Sequence, residues 1–183
     1  LILIENDKSA DAHLKFFNSD GGESGACGNG TRCVADFISK ETKNKTIILK
    51  TFSGNLKSKI LENNIVTTEI GKAKIEWNEI PLSEKLNTKN LNIKINDNND
   101  KEYKGGTAIN VGNPHIVFFV KNIEDYEIKK IGPEIEHHNF FPEKCNVTLA
   151  QKINDNLIKV KVWERGAGLT KACGTAACAT AFA

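Results

Sequence analysis

Two cysteines of this chain stand in one repeated setting. Cys27 lies in Ala26-Cys27-Gly28 and Cys173 in Ala172-Cys173-Gly174. Without gaps, the stretch from Lys15 to Gly28 aligns on the stretch from Lys161 to Gly174. Lys15/Lys161, Gly22/Gly168, Ala26/Ala172, Cys27/Cys173 and Gly28/Gly174 are identical, and the apolar residues before each loop match in type. Both copies read as a strand, a Gly-rich loop, Ala-Cys-Gly and a helix, which is the mark of a duplicated half-site. A cysteine at a helix start sits among unpaired backbone N–H groups at the positive end of the macrodipole, where a thiolate is stabilised. The same N–H groups suit a carboxylate. Two such starts facing each other would put two sulfurs on either side of one anion site. That arrangement suits removing a proton from one face of a carbon and delivering one to the other face.

Other uses of these residues fit less well. The five cysteines and four histidines include no short CxxC pair of the kind that structural zinc or a thioredoxin-like dithiol uses. Neither loop has the spacing of a P-loop or a dinucleotide fingerprint. No metal and no cofactor are therefore expected. Cys33 and Cys178, one to two turns into their helices, are expected to pack as small hydrophobes, as is Cys145. His13, His137 and His138 receive no role.

The elements that must position the pair can be read from hydrophobic spacing. Residues 12–18 read as a strand and 19–25 as a Gly/Ser-rich loop. Helical spacing over 28–41 puts Val34, Phe37 and Ile38 on one face. Strands are expected at 46–51, at the alternating Leu56, Ser58 and Ile60, at 65–70 and at 91–95, with a polar turn at 96–100. Gly105-Gly106 marks a junction between domains 1–104 and 105–183. The second half is expected to hold strands at 107–111, 115–120, 145–151 and 156–164. A helical stretch over 123–138 is interrupted by Gly132-Pro133, and a last helix starts near Cys173. The mixture predicts an α+β protein of two related domains.

Composition bounds the partners. Over 183 residues, 39% are apolar and 26% charged, and a net charge of +2 with Lys and Glu interleaved gives no basic patch for nucleic acid. Apolar runs such as 116–120 fall far short of the roughly 20 residues of a membrane helix, so no membrane partner is expected. An odd cysteine count without a compact framework argues for a reducing, cytoplasmic setting. The chain opens on Leu1-Ile2-Leu3-Ile4, has no Met, and closes within an apparent helix. It reads as an internal piece of a longer protein that would be unstable and inactive alone.

Through Ala26-Cys27-Gly28-Asn29-Gly30-Thr31-Arg32-Cys33 and Glu164-Arg165-Gly166-Ala167-Gly168, then Ala172-Cys173-Gly174-Thr175, the sequence resembles the diaminopimelate epimerases. Phe17-Asn18-Ser19-Asp20-Gly21, Gly112-Asn113-Pro114-His115 and Phe141-Pro142-Glu143-Lys144-Cys145-Asn146 extend the resemblance along essentially the whole chain. It implies two pseudo-symmetric domains, each a curved mixed sheet wrapped around a central helix, with the active site in the cleft between them. It implies interconversion of LL- and meso-diaminopimelate without pyridoxal phosphate or metal, on the route to lysine and peptidoglycan. The expected partner is a small amino acid, with a homodimer as an option.

The resemblance also implies roles. Cys27 and Cys173 would be the acid/base pair, and Gly28, Asn29, Gly174 and Thr175 would hold the reacting carboxylate. Asn18, Asn113, Asn146 and Arg165 would grip the distal amino-acid end. Glu164 would bind an ammonium group and, with His115, tune the thiols. Departures are the family's first segment and last strands, which have no counterpart here, and Thr175-Ala176 where Ser-Gly is commoner. Two other readings stay open: a proline or hydroxyproline racemase, against which Gly28-Asn29 stands in place of Gly-His, and a non-catalytic relative, a kind that commonly lacks the cysteine pair.

Overall fold

The structure, a computed structural model, describes residues 1–17, 21–25, 27–94 and 102–183. They form two compact units, Leu1–Lys72 and Ala73–Ala183.

In the first unit, alternation decides which side chains go inward. Strand β2 (Ala12–Phe17) buries Ala12, Leu14 and Phe16, and β4 (Thr46–Thr51) buries Ile47, Leu49 and Thr51. These two strands run parallel, so the chain between them must cross over. The crossover carries helix α1 (Gly28–Thr42), whose Val34, Ala35 and Ile38 pack on the inward face. Phe37, expected on that face, is exposed, because the adjacent Ala35 and Ile38 complete the buried stripe. Antiparallel partners extend the sheet: β1 (Ile2–Glu5) on β2, then β5 (Gly54–Ile60) on β4 and β6 (Val66–Thr68) on β5. The short β3 (Glu23–Ser24) pairs with the end of β2, where β4 has already left that edge.

The second unit is a sheet ordered β12-β11-β10-β9-β8-β7. Its strands are β7 (Leu91–Lys94), β8 (Glu102–Asn110), β9 (Pro114–Phe119), β10 (Asn146–Asn154), β11 (Leu157–Glu164) and β12 (Gly168–Thr170). Within this sheet, only β9 and β10 are parallel among the described residues, joined through α2 (Ile128–Glu136). Ile128, Ile131 and Ile135 of α2 pack on Ile116, Phe118, Val147 and Leu149. A last helix, α3 (Gly174–Phe182), lies on the opposite face of β9 and β10 with Ala176 and Ala179 fully buried. A parallel pair covered on both faces cannot alternate inside and outside. Residues 114–118 and 146–150 are accordingly buried without a break, which puts His115, Asn146 and Thr148 indoors on the α3 side. The result is an α+β architecture of two mixed sheets.

Three expectations change. The units part at Lys72/Ala73, not at residue 104, because Gly106 pairs with Leu91 inside the sheet of the second unit. A Cβ on Gly106 would meet Phe118 at 2.7 Å, so packing accounts for that glycine. Gly132-Pro133 does not interrupt α2: a separate helical turn at Ile123–Asp125 precedes it, and burial of its isoleucine face outweighs the hydrogen bond lost at Pro133. Ile95 and the polar turn at 96–100 lie outside the described residues.

Gly132 sits against the indole of Trp163, where a Cβ would come within 2.5 Å of the ring. Gly132→Ala should therefore destabilise by about 1–3 kcal/mol despite alanine's better helix propensity. Urea unfolding measures this, and a gain in stability would show that the ring moves aside freely.

Candidate active site

The two cysteines are placed by the same local construction. Phe16 pairs with Ser24 and Phe17 with Glu23; Val162 pairs with Thr170 and Trp163 with Leu169. These registers superpose under the same offset that lays Lys15 on Lys161. The correspondence runs further back than the sequence repeat. Ile2↔Phe16, Leu3↔Lys15, Ile4↔Leu14 and Glu5↔His13 in one unit match Thr148↔Val162, Leu149↔Lys161, Ala150↔Val160 and Gln151↔Lys159 in the other. Each unit thus carries three antiparallel strands that deliver a cysteine to a helix start.

Both cysteines are N-caps. Cys27 has φ −145° and ψ 92°, and its Sγ accepts from Gly30 N at 3.3 Å. Cys173 has φ −137° and ψ 112°, and its Sγ accepts from Ala176 N at 3.4 Å. Each carbonyl takes the first helical N–H, from Thr31 at 2.9 Å and from Ala177 at 3.1 Å. Ser, Thr, Asp and Asn cap helices well, whereas a thiol sulfur is a weak acceptor. Capping alone therefore does not account for cysteine at both positions.

The glycines that follow are equally telling. Gly28 and Gly174 each open a helix with ordinary φ, and a Cβ on either would meet nothing within 4 Å among the described residues. Neither backbone conformation nor packing requires glycine there, unlike Gly30, whose Cβ would strike Ile2 at 2.7 Å. A glycine with open space over a helix start leaves its backbone free for close approach by a ligand.

The second unit adds charged and amide groups. Thr175 Oγ1 lies 3.3 Å from Cys173 Sγ, and Glu164, which accepts a hydrogen bond from Thr170, is close enough to act on the same sulfur. Burial pushes the Cys173 thiol up. The Glu164 carboxylate pushes the same way, against hydrogen bonds from Thr175 and Ala176. The helix-start donors are in place, but desolvation outweighs them, so Cys173 rests as a thiol. Asn146 is buried, accepting Arg165 N at 3.0 Å and donating to Pro114 O at 2.9 Å, so its carboxamide fixes the backbone at Arg165. The Arg165 guanidinium donates to Glu143 O at 2.9 Å. Asn113 Oδ1 is 2.8 Å from Nε2 of the fully buried His115.

In the second unit, then, Asn113, His115, Asn146, Glu164 and Arg165 join through direct contacts and Cys173, Gly174 and Thr175 lie at the adjoining helix start. Cys27, Gly28 and the exposed Asn29, bonded to Arg32, occupy the first unit. Asn18 lies outside the described residues. Cys145 is buried as expected, but Cys33 and Cys178 are exposed, because each lies on the outer side of its helix. Sequence reasoning missed Glu136, a carboxylate only 4% exposed that accepts from Trp163 Nε1 and Gly166 N. An acidic residue on the apolar face of a predicted helix was the available signal. Among the described residues no group of three His, Cys, Asp or Glu side chains is arranged to hold a metal, and no helix is long and apolar enough to cross a membrane.

The profile of the diaminopimelate epimerase family matches residues 1–76 and 107–183. A diaminopimelate epimerase of Pelagibacter ubique is 68% identical over 183 residues, covering 100% of this chain and 67% of that protein. One from Methylorubrum extorquens is 41% identical over 181 residues, covering 94% of this chain and 61% of its own length. The chain thus spans about two thirds of the curated relatives it matches. Among solved structures, a hydroxyproline epimerase from Agrobacterium vitis with bound trans-4-hydroxy-L-proline superposes with a TM-score of 0.67 at 15% identity, over 99% of this chain and 57% of that one. At that identity the likeness is one of fold.

His115 makes a test of the buried layer. Burial, reinforced by the Arg165 charge, lowers its pKa from 6.5 to about 3. Between those values the unfolded chain binds a proton that the folded one does not. Stability therefore rises with pH across this window and is lost as pH falls from 6.5 towards 3, by up to about 1.4 kcal/mol per pH unit. His115→Asn should flatten that part of the stability–pH profile. An unchanged slope would show that the ring protonates in place.

Proposed function

The chain belongs to the diaminopimelate epimerase family, and from that premise we propose that it forms most of an enzyme that inverts an α-carbon of diaminopimelate with two cysteines and no cofactor. The observation that carries the reading is the pair of N-cap cysteines, delivered in identical registers and each followed by a glycine with open space above it. On this reading the protein is an isomerase supplying lysine and peptidoglycan precursors in the cytoplasm.

The chemistry follows from those positions. The substrate's α-carboxylate rests on the N–H groups at Gly28, Asn29, Gly174 and Thr175, where helix-start dipoles stabilise the charge that grows as the α-proton leaves. One thiolate takes the proton and the opposite thiol donates its own to the other face. Cys173, held as a thiol by burial, is the donor for the stereoisomer that Cys27 deprotonates, and the roles exchange in reverse. Glu164 offers a carboxylate to an ammonium group. Arg165 offers a fork to the distal carboxylate, and Asn113 and Asn146 fix the surrounding backbone and ring.

A racemisation assay of the intact gene product tests this, with diaminopimelate as substrate and proline as the control. Faster turnover of proline would favour a proline racemase. Cys27→Ser and Cys173→Ser should each lower kcat by roughly a hundredfold or more, the usual share of a general acid or base. They should fail differently, each losing abstraction from one stereoisomer more severely. In deuterated water, early label should enter the inverted product and spare recovered substrate; equal labelling of both would indicate a single base.

The glycines separate binding from folding. Gly28→Ala and Gly174→Ala should leave stability within about 0.5 kcal/mol, since the added methyl meets nothing within 4 Å among the described residues. Each should reduce kcat/KM by about tenfold or more by crowding the carboxylate. Full activity in both variants would remove the carboxylate from the helix starts.

A further inference from the structure

Glu136 ends α2 in the interior, 4% exposed, and makes no ion pair among the described residues. Its two oxygens serve different partners: Oε2 accepts from Trp163 Nε1 at 2.7 Å and Oε1 from Gly166 N at 3.0 Å. Trp163 immediately precedes Glu164, and Gly166 immediately follows Arg165. One carboxylate therefore grips both ends of the Glu164-Arg165 dipeptide, while Asn146 takes the N–H between them. Gly166 turns there with φ +72°, and Ala167 N closes the turn on Glu164 O at 3.1 Å.

A buried carboxylate is costly unless its hydrogen bonds are good. Simple capping of a helix end does not explain it, since a carboxylate at a helix C-terminus is opposed by the macrodipole. Both facing groups are donors, so only a group that accepts on both oxygens fits. Glutamine, identical in shape, would turn an NH2 onto one of them.

We propose that Glu136 is the positioning residue for the Glu164-Arg165 pair: it holds from the core the two side chains that recognise the charged ends of the substrate. The inference rests on the epimerase reading given above. It makes Glu136 a determinant of substrate binding that acts through its neighbours.

The intact protein carrying Glu136→Gln tests it in two ways. The first readout needs no activity. The Trp163 indole N–H resonance should shift, or the Gly166 amide should exchange at least about tenfold faster, as one of the two bonds is lost. The second is kinetic: KM for diaminopimelate should rise about tenfold with kcat within about threefold, the pattern of lost uniform binding. Adding Trp163→Phe should restore KM to that of Trp163→Phe alone, because the glutamine oxygen can then take Gly166 N unopposed. A merely structural loss would lower the active fraction, and hence kcat, at unchanged KM, and that result overturns the proposal. So does a lost bond with unchanged kinetics. Should Glu136→Gln fail to fold, Trp163→Phe carries the test: it removes one hold, and an unchanged KM then overturns the inference. Wild-type protein inactive on diaminopimelate would instead sink the epimerase reading, and the two failures are thus distinct.

Discussion

The first turn of a helix leaves backbone N–H groups without intrahelical partners, and this protein meets that constraint twice with a cysteine. Something must answer those donors. At α1 and α3 the cap is a sulfur, which answers one donor weakly, at 3.3 and 3.4 Å. The next residue is a glycine that shields nothing. A helix start capped this lightly keeps its field available to an anion. The strands before it act as supports, fixing where the sulfur sits through matched registers in the two units.

The burial of β9 and β10 on both faces sets the second constraint. Polar side chains on the α3 side must find partners without water. Asn146 does so through Arg165 and Pro114, and His115 through Asn113. His115 Nδ1 and Thr148 Oγ1 have no partner among the described residues. The same satisfied bonds that make the layer tolerable also tie the Arg165 backbone to the sheet. Hydrogen-bonding a hairpin turn to a buried, packed layer gives it the rigidity of a core strand.

Much of this was legible in the sequence. The Ala-Cys-Gly repeat gave the two helix starts, and alternation gave β2, β4 and β5. What stayed hidden has physical reasons. Ile2–Glu5 and Thr148–Gln151 share only Leu3/Leu149, since their equivalence is one of backbone register and register is set by pairing partners far away in sequence. Gly105-Gly106 looked like a linker because glycine signals loops, but Gly106 is there for the ring of Phe118. Phe37 looked like core because large apolar residues favour burial, yet small Ala35 fits the close approach of α1 to its sheet. Glu136 escaped notice because its partners, an indole and a backbone N–H, come from an element nearly thirty residues away.

The duplication is faithful in backbone and unfaithful in side chains, and that difference bears on function. Under the offset that lays Cys27 on Cys173, Asn18 corresponds to Glu164, Ser19 to Arg165 and Asn29 to Thr175. The charged pair exists in one half only. Thr175 turns its hydroxyl to its own cysteine, whereas Asn29 turns its carboxamide to Arg32. On the proposed reading, two sulfurs on matched scaffolds serve the two faces of one carbon, as a reversible inversion requires. On the same reading, charges on one scaffold alone break the symmetry, so that a substrate with a second amino-acid end enters in one orientation. On that reading, a perfectly duplicated site would offer such a molecule two reversed poses. On the proposed reading, divergence at Glu164 and Arg165 is therefore what turns a symmetric proton-transfer device into one that takes its substrate in a single orientation.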